Sequence, residues 1–157
     1  MASLEVTERI AASPAEVWAL IGDPTAMAGL AEECVTMEWT GGWRQAEVGA
    51  RFRGHNRSGW RRWTTSCTVV EYEPGSSIAW DVAFGPLPVA RWGYRLEPDG
   101  DAAGGTTVRE SFQDRRPPAL RVLSPVVRGT RDTVGLNRAN MTTTLGRLKA
   151  RAEAGAR

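Results

Sequence analysis

The sequence predicts an α+β fold in which one strand and two short helices lead into a six-stranded antiparallel meander, closed by a long C-terminal helix. Three observations carry this. Between residues 34 and 114, short β-branched and aromatic runs are separated by Gly, Pro, Asp or Ser, the texture of consecutive antiparallel strands. After Arg115-Arg116-Pro117-Pro118 the apolar spacing lengthens to three or four residues, a helical period. Near the start, Ser13-Pro14-Ala15-Glu16 forms a capping box with proline at the first helical position.

Taken in order, residues 3 to 11 alternate as a strand around Leu4, Val6 and Ile10, with Glu8 breaking the apolar pattern. The capped helix carries Val17, Trp18, Leu20 and Ile21, and Gly22 suits a left-handed stop. Asp23-Pro24 repeats the cap-and-proline logic and starts a second short helix toward Leu30. Strands follow near 34 to 40, 49 to 57, 60 to 72, 76 to 84, 88 to 97 and 105 to 113. Their turns are Ser58-Gly59, Glu73-Pro74-Gly75, Pro86 through Pro88, and Pro98-Asp99-Gly100 with Gly104-Gly105. Ser124-Pro125 caps the last helix, whose stripe runs through Val127, Thr130, Val134, Asn137, Met141, Leu145 and Leu148 to about Ala152. That stripe turns polar at Thr130 and Asn137. Interior glycines at 129, 135 and 146 each weaken the helix by roughly 1 kcal/mol, so tertiary packing must hold it.

Composition narrows the function classes. A chain of 157 residues reads as a single domain over 1–157 and buries roughly 70% of its unfolded surface. With 41% hydrophobic and 24% charged residues it is neither disordered nor fibrous. A formal charge of +2 is far below what binding by phosphate neutralisation requires, so no nucleic-acid partner is expected. Cys34 and Cys67 have no CxxC or histidine at ligand spacing, which argues against a metal site. No cofactor motif follows a strand. MASLEVTERI lacks a basic stretch followed by an apolar run, and no apolar run reaches the roughly 18 residues of a membrane span. A cytoplasmic protein without membrane insertion is the expectation, monomeric or homodimeric, since arginines on the outer strands discourage edge pairing.

The stretch RFRGHNRSGWRRW, residues 51 to 63, concentrates five arginines, two tryptophans and the chain's one histidine. With Ser58-Gly59 as a two-residue turn, Arg57 lies opposite Trp60, Asn56 opposite Arg61, His55 opposite Arg62 and Gly54 opposite Trp63. One face then holds Phe52, Gly54, Asn56, Arg61, Trp63, Thr65, Cys67 and Val69, and the other holds Arg51, Arg53, His55, Arg57, Trp60, Arg62, Thr64 and Ser66. Gly54 would leave room for the indole of Trp63. Ala90, Trp92, Tyr94 and Leu96, then Val108, Glu110 and Phe112, and Ile78, Trp80, Val82 and Phe84 form matching inner rows. Asn56, Arg61, Tyr94 and Glu110 interrupt these apolar faces, where an unpaired polar group costs on the order of 1 to 3 kcal/mol. They pair with one another or face a wet cavity. The outer face is basic and aromatic, the chemistry of a nucleic-acid platform, but the near-neutral balance speaks against that use.

The order of elements, together with ASPAEVWALIGDP, VGARFRGHNRSGWRRWTTSCTVVEYEPGSSIAW, GTTVRES and TLGRLKARAE, resembles the polyketide cyclase/dehydrase group of the START and Bet v 1-like superfamily. The resemblance spans nearly the whole chain. It implies a helix-grip fold, a curved seven-stranded antiparallel sheet wrapped around the long C-terminal helix with a deep cavity between. It implies aromatic polyketide cyclisation or dehydration, lipid or sterol carriage, or hormone sensing. Trp39, Phe52, Trp63, Trp80, Phe84, Trp92 and Phe112 would wall the cavity with Tyr94, and Thr130, Asn137 and Met141 would floor it. Asn56 and Glu110 match positions where the family pattern tends to be polar, and the family offers no universal catalytic set.

Several readings stay open. Glu110 is either a general acid or base of raised pKa acting beside a ketone, or a carboxylate paired with Arg61 or Asn56. Tyr94 either donates to an enolate oxygen or bridges core and rim. Arg61 either holds a ligand carboxylate or phosphate at the mouth or is merely exposed. His55 falls outside by alternation, Trp18 belongs to the core, Trp43 is placed to cap the pocket from its loop, and Trp60 can stack on Arg57 or Arg62. Asp81 and Asp114 read as strand-edge charges. The leading function is binding of a hydrophobic, aromatic or polyketide-like small molecule with its cyclisation or dehydration; the alternative is a non-catalytic carrier or sensor with the same cavity.

Overall fold

The computed structural model describes residues 3–101, 103–122 and 133–156. Strand β1 (Ser3–Ile10) leads into helix α1 (Pro14–Ile21), a 3-10 turn (Pro24–Ala26) and strands β2 (Cys34–Trp39), β3 (Arg51–Ser58), β4 (Arg61–Glu73), β5 (Ser77–Phe84), β6 (Leu87–Pro98) and β7 (Thr106–Asp114). The long C-terminal helix α2 spans Thr133–Gly155. The strands form one antiparallel sheet in the order β1-β7-β6-β5-β4-β3-β2, so only β1 is displaced from sequence order, pairing with the last strand. Register shifts at Cys34/Thr36, Val69/Glu71 and Val82/Ala83 put bulges into three of the six ladders. Bulges bend strands, which lets the sheet curve around α2. This is the helix-grip arrangement the sequence led us to expect.

Local chemistry explains the short elements. The Ser13 hydroxyl accepts from the Glu16 amide at 3.2 Å while the Glu16 carboxylate accepts from the Ser13 amide at 2.8 Å, closing the capping box. Asp23 accepts from the Thr25 amide at 2.9 Å, but the segment it caps is a single 3-10 turn rather than a helix reaching Leu30. Gly22 ends α1 with φ −71°, not in a left-handed conformation. Its missing side chain serves another purpose: a Cβ there would lie 2.6 Å from the Trp18 indole.

Hydrophobic packing divides the interior. The larger cluster joins Ile10, Val17 and Ile21 to Phe52, Val69, Ile78, Trp80, Leu96 and Val108 and to Leu145, Leu148 and Ala152 of α2. A smaller one joins Leu4, Ala90, Phe112 and Met141. Val134, expected on the buried stripe, is 49% exposed. The expected helix start at Ser124-Pro125, with Val127 and Thr130, lies outside the described residues.

The β3–β4 hairpin corrects one expectation in an instructive way. Ser58 pairs with Arg61, Arg57 with Arg62, Asn56 with Trp63 and Gly54 with Thr65, so Gly59-Trp60 is the two-residue turn. Gly59 has φ +62°, as the first central position of a type II′ turn demands. Moving such a turn by one residue slides every pair by two, and a slip of two leaves each side chain on its original face. Only the partners change. Gly54 therefore makes room for Thr65, whose Oγ1 would lie 2.9 Å from a Cβ there, and not for Trp63.

Candidate functional site

Met141 in the first half of α2 packs with Ala90 and Phe112, but elsewhere that half of the helix and the inner face of the sheet leave a gap. Between them lies a cavity of about 530 Å³, within the roughly 300 to 1,000 Å³ usual for small-molecule sites. Leu145 and Leu148 pack in the core, whereas Asn137, Asn140, Met141 and Thr144 of the same helix line the cavity. Its aromatic walls are Trp63, Trp80, Phe84, Trp92 and Phe112, with Asn56 farther along and Arg61 beside Ser58 at the hairpin end. Trp92 and Phe112 are tilted against each other, their centroids 4.8 Å apart.

Two expected wall residues stand elsewhere. Phe52 is buried in the core between Trp39 and Trp80, edge-on to both at 5.6 and 5.7 Å. Trp39 packs on that cluster from the β2 side and does not reach the cavity. Trp43 also packs on the core rather than capping the pocket. Alternation assigns a face but does not separate rings that fill the core from rings that line a cavity. Conversely, the thiols of Cys34 and Cys67, the hydroxyls of Thr65 and Thr144, and Asn140 line the cavity unforeseen. Asn137, Asn140, Met141 and Thr144 follow the three-and-four spacing of one helical face, the signal that a wider stripe would have caught. Burial pushes the Cys67 thiol up to about 12 and Cys34 up to about 11, so both act as small apolar wall groups.

The polar centre of the cavity is a pair. Tyr94 on β6 and Glu110 on β7 are directly opposed across the ladder, and the Tyr94 hydroxyl donates to Glu110 Oε1 at 2.7 Å. Trp80 stacks on Tyr94 at 5.9 Å and holds its ring. Glu110 is 2% exposed. Burial pushes its carboxyl up to about 8, with the Tyr94 hydrogen bond pulling modestly the other way. Tyr94 is raised well above its ordinary value, first by burial and then by the neighbouring carboxylate. Burial thus favours the protonated form of both groups. With Oε1 accepting from Tyr94, Oε2 is the oxygen open to carry the acid proton, and it has no hydrogen-bond partner among the described residues. Asn137, 3% exposed on the facing helix, has an amide Nδ2 equally without one. One polar group from the sheet and one from the helix thus stand unsatisfied beside the aromatic walls of the cavity.

The expected partners of Glu110 are occupied otherwise. Asn56 donates to the Gly54 carbonyl at 3.3 Å, the Trp63 carbonyl at 3.5 Å and Thr65 Oγ1 at 3.2 Å, which ties the β3–β4 rungs together. Arg61 lies with its guanidinium 5.5 Å from the Trp60 ring centroid, so the indole stacks on Arg61 rather than on Arg57 or Arg62. His55 is on the outer face, its Nε2 3.0 Å from Glu38 Oε1, and takes no part in the site. Asp81 binds Arg91 and Arg115. Asp114 is no edge charge: it is 5% exposed and holds Arg116, whose side chain reaches the cavity rim. Among the described residues no cluster of metal-ligating side chains occurs, and no helix is long and apolar enough to cross a membrane.

A family model described as polyketide cyclase / dehydrase and lipid transport matches residues 1–153. No curated protein matches the sequence significantly. Among solved structures, the di-domain ARO/CYC StfQ from the steffimycin biosynthetic pathway superposes with a TM-score of 0.74 at 15% identity, over 98% of this chain and 51% of that one. Major latex-like protein 151 from Panax ginseng gives 0.71 at 10% identity, covering 96% and 97% of the two chains. A protein from Chromobacterium violaceum gives 0.70 at 17% identity, covering 98% and 99%. At these identities the likeness concerns the fold.

Proposed function

The chain belongs to the polyketide cyclase / dehydrase and lipid transport family, and on that footing we propose that it binds a flat, hydrophobic, oxygen-bearing small molecule in the cavity and promotes its cyclisation or dehydration. The observation that carries the reading is the buried Glu110 carboxyl, held by Tyr94 and left with one oxygen unpartnered among the described residues, inside walls of indole and phenyl rings. Apolar area supplies binding, at about 25 cal/mol per Å² removed from water, and ring shape supplies selectivity.

In this reading the Glu110 acid proton hydrogen-bonds a ligand carbonyl oxygen, with the Asn137 amide as a second donor to the same or an adjacent oxygen. Donors aimed at an oxygen that gains charge on enolisation lower the barrier most where water is excluded. The α-proton, made more acidic, passes to a water molecule to leave an enolate; as the carbonyl re-forms, the β-C–O bond breaks and the departing hydroxide takes the Glu110 proton to leave as water, and the Glu110 carboxylate recovers a proton from the hydronium formed in the first step. Tyr94 positions the carboxyl and fixes which oxygen bears the proton.

The test uses 3-hydroxy-1-tetralone, which loses water to give fluorescent 1-naphthol. The expectation is accelerated dehydration by the wild type, on the order of a hundredfold slower in Glu110→Gln, with binding retained. Binding without conversion in the wild type supports carriage, with the two polar groups serving only as anchors; unchanged turnover in Glu110→Gln contradicts the acid role.

A further inference from the structure

The sequence feature that the cavity does not absorb is the outer, basic side of the β3–β4 hairpin. Arg57 and Arg62 are directly opposed across that ladder and both exposed. Like charges on one rung repel. The chain contains a second such rung, Arg95 opposite Arg109, and there the repulsion is relieved: Glu71 pairs with Arg95 at 3.2 Å, and Glu5 and Glu97 pair with Arg109 at 3.2 and 3.9 Å. Among the described residues no carboxylate pairs with the Arg57–Arg62 rung. At the turn next to it, Trp60 is 86% exposed. At the same end of the sheet, where β5 turns into β6, Phe84 and Leu87 are 53% and 39% exposed. Phe84 and Arg62 also border the cavity.

We propose that this end of the sheet docks on a lipid surface bearing anionic headgroups, with the Arg57–Arg62 rung facing the phosphates and Trp60, Phe84 and Leu87 entering the interfacial layer. An indole at a hairpin tip and an unneutralised pair of guanidiniums are complementary to the two layers of such a surface, apolar below and anionic above. The phenyl and aliphatic groups at the neighbouring tip favour lipid over a nucleic acid, which offers arginine its phosphates but no apolar layer. Docked so, the cavity mouth faces the bilayer, and an apolar ligand passes between the two without crossing water.

The experiment is sedimentation of the full chain with vesicles of phosphatidylcholine alone or mixed with phosphatidylglycerol, at low and physiological salt, with no cavity ligand added, so the outcome is independent of the chemistry at Glu110. The expected result is binding to the anionic vesicles only. Arg57→Gln with Arg62→Gln lowers partitioning about thirtyfold, at roughly fivefold for each surface arginine. Trp60→Ala lowers it at unchanged charge, and Arg151→Gln at the far end of α2 leaves it within about twofold. Circular dichroism verifies the fold of these surface variants. Absence of wild-type binding, equal binding to neutral vesicles, or indifference both to the paired Arg57→Gln and Arg62→Gln change and to Trp60→Ala overturns the proposal, as does capture of double-stranded DNA in place of vesicles.

Discussion

Residue-scale chemistry turns on one proton. Glu110 keeps its proton up to about pH 8 in the fold, whereas in the unfolded chain it loses it near 4.3. Between these values the unfolded state binds fewer protons than the folded one, so stability falls as pH rises, by at most about 1.4 kcal/mol per pH unit for one group. The contribution is fully present below the unfolded value and is lost as pH passes through about 8. Carboxylates held low, such as Asp81 beside Arg91, lose their contribution as pH falls, so the two effects separate. The expected outcome is a Tm difference between wild type and Glu110→Gln that shifts against the wild type from pH 5 to pH 8.5; a constant difference across that range contradicts a neutral Glu110. Tyr94→Phe removes the hydrogen bond that lowers the Glu110 value, so the carboxyl midpoint, followed by NMR of the side-chain carbon, moves upward. The polar residues at 94 and 110 were legible as interruptions of apolar rows. Their mutual pairing was not, because β6–β7 register cannot be read from alternation alone.

At the scale of elements, much of the sequence speaks locally. The capping box and proline define α1, and glycine, proline and aspartate mark the turns between strands. Ser13→Ala removes one of the two reciprocal cap bonds and is expected to cost about 1 kcal/mol in urea unfolding; no change would mean the cap is redundant with the packing of Val17 and Ile21. The hairpin at Gly59-Trp60 shows the limit of such reading. Ser-Gly and Gly-Trp are both acceptable turns locally, and the choice rests on pairing with β2 and β5. Gly54→Ala measures how tightly that choice is enforced: the added methyl meets Thr65 Oγ1 at 2.9 Å, and the expected loss is about 1 to 3 kcal/mol. Thr65→Ser keeps the crowding oxygen and does not relieve it, whereas Thr65→Ala in the same chain recovers part of the loss.

For the whole molecule, the same sheet and helix make a core at one end and a hollow at the other. The change occurs along α2, where Leu145 and Leu148 pack and Asn137, Met141 and Thr144 do not close the gap. A seven-stranded sheet around a helix was expected from the order of elements. Which aromatic rings fill the core and which line the hollow was not, since Phe52 and Trp80 share a face and touch edge-on, yet of the two only Trp80 also lines the hollow. The central claim is that the hollow takes a flat, oxygen-bearing aromatic molecule. Titration of tryptophan fluorescence with 1,8-dihydroxyanthraquinone measures it directly, because Trp63, Trp80 and Trp92 line the wall. The account predicts saturable quenching at one molecule per chain, lost when Val82→Trp fills the cavity and weakened in Asn137→Leu. Unsaturable quenching, or quenching that Val82→Trp leaves intact, would contradict it.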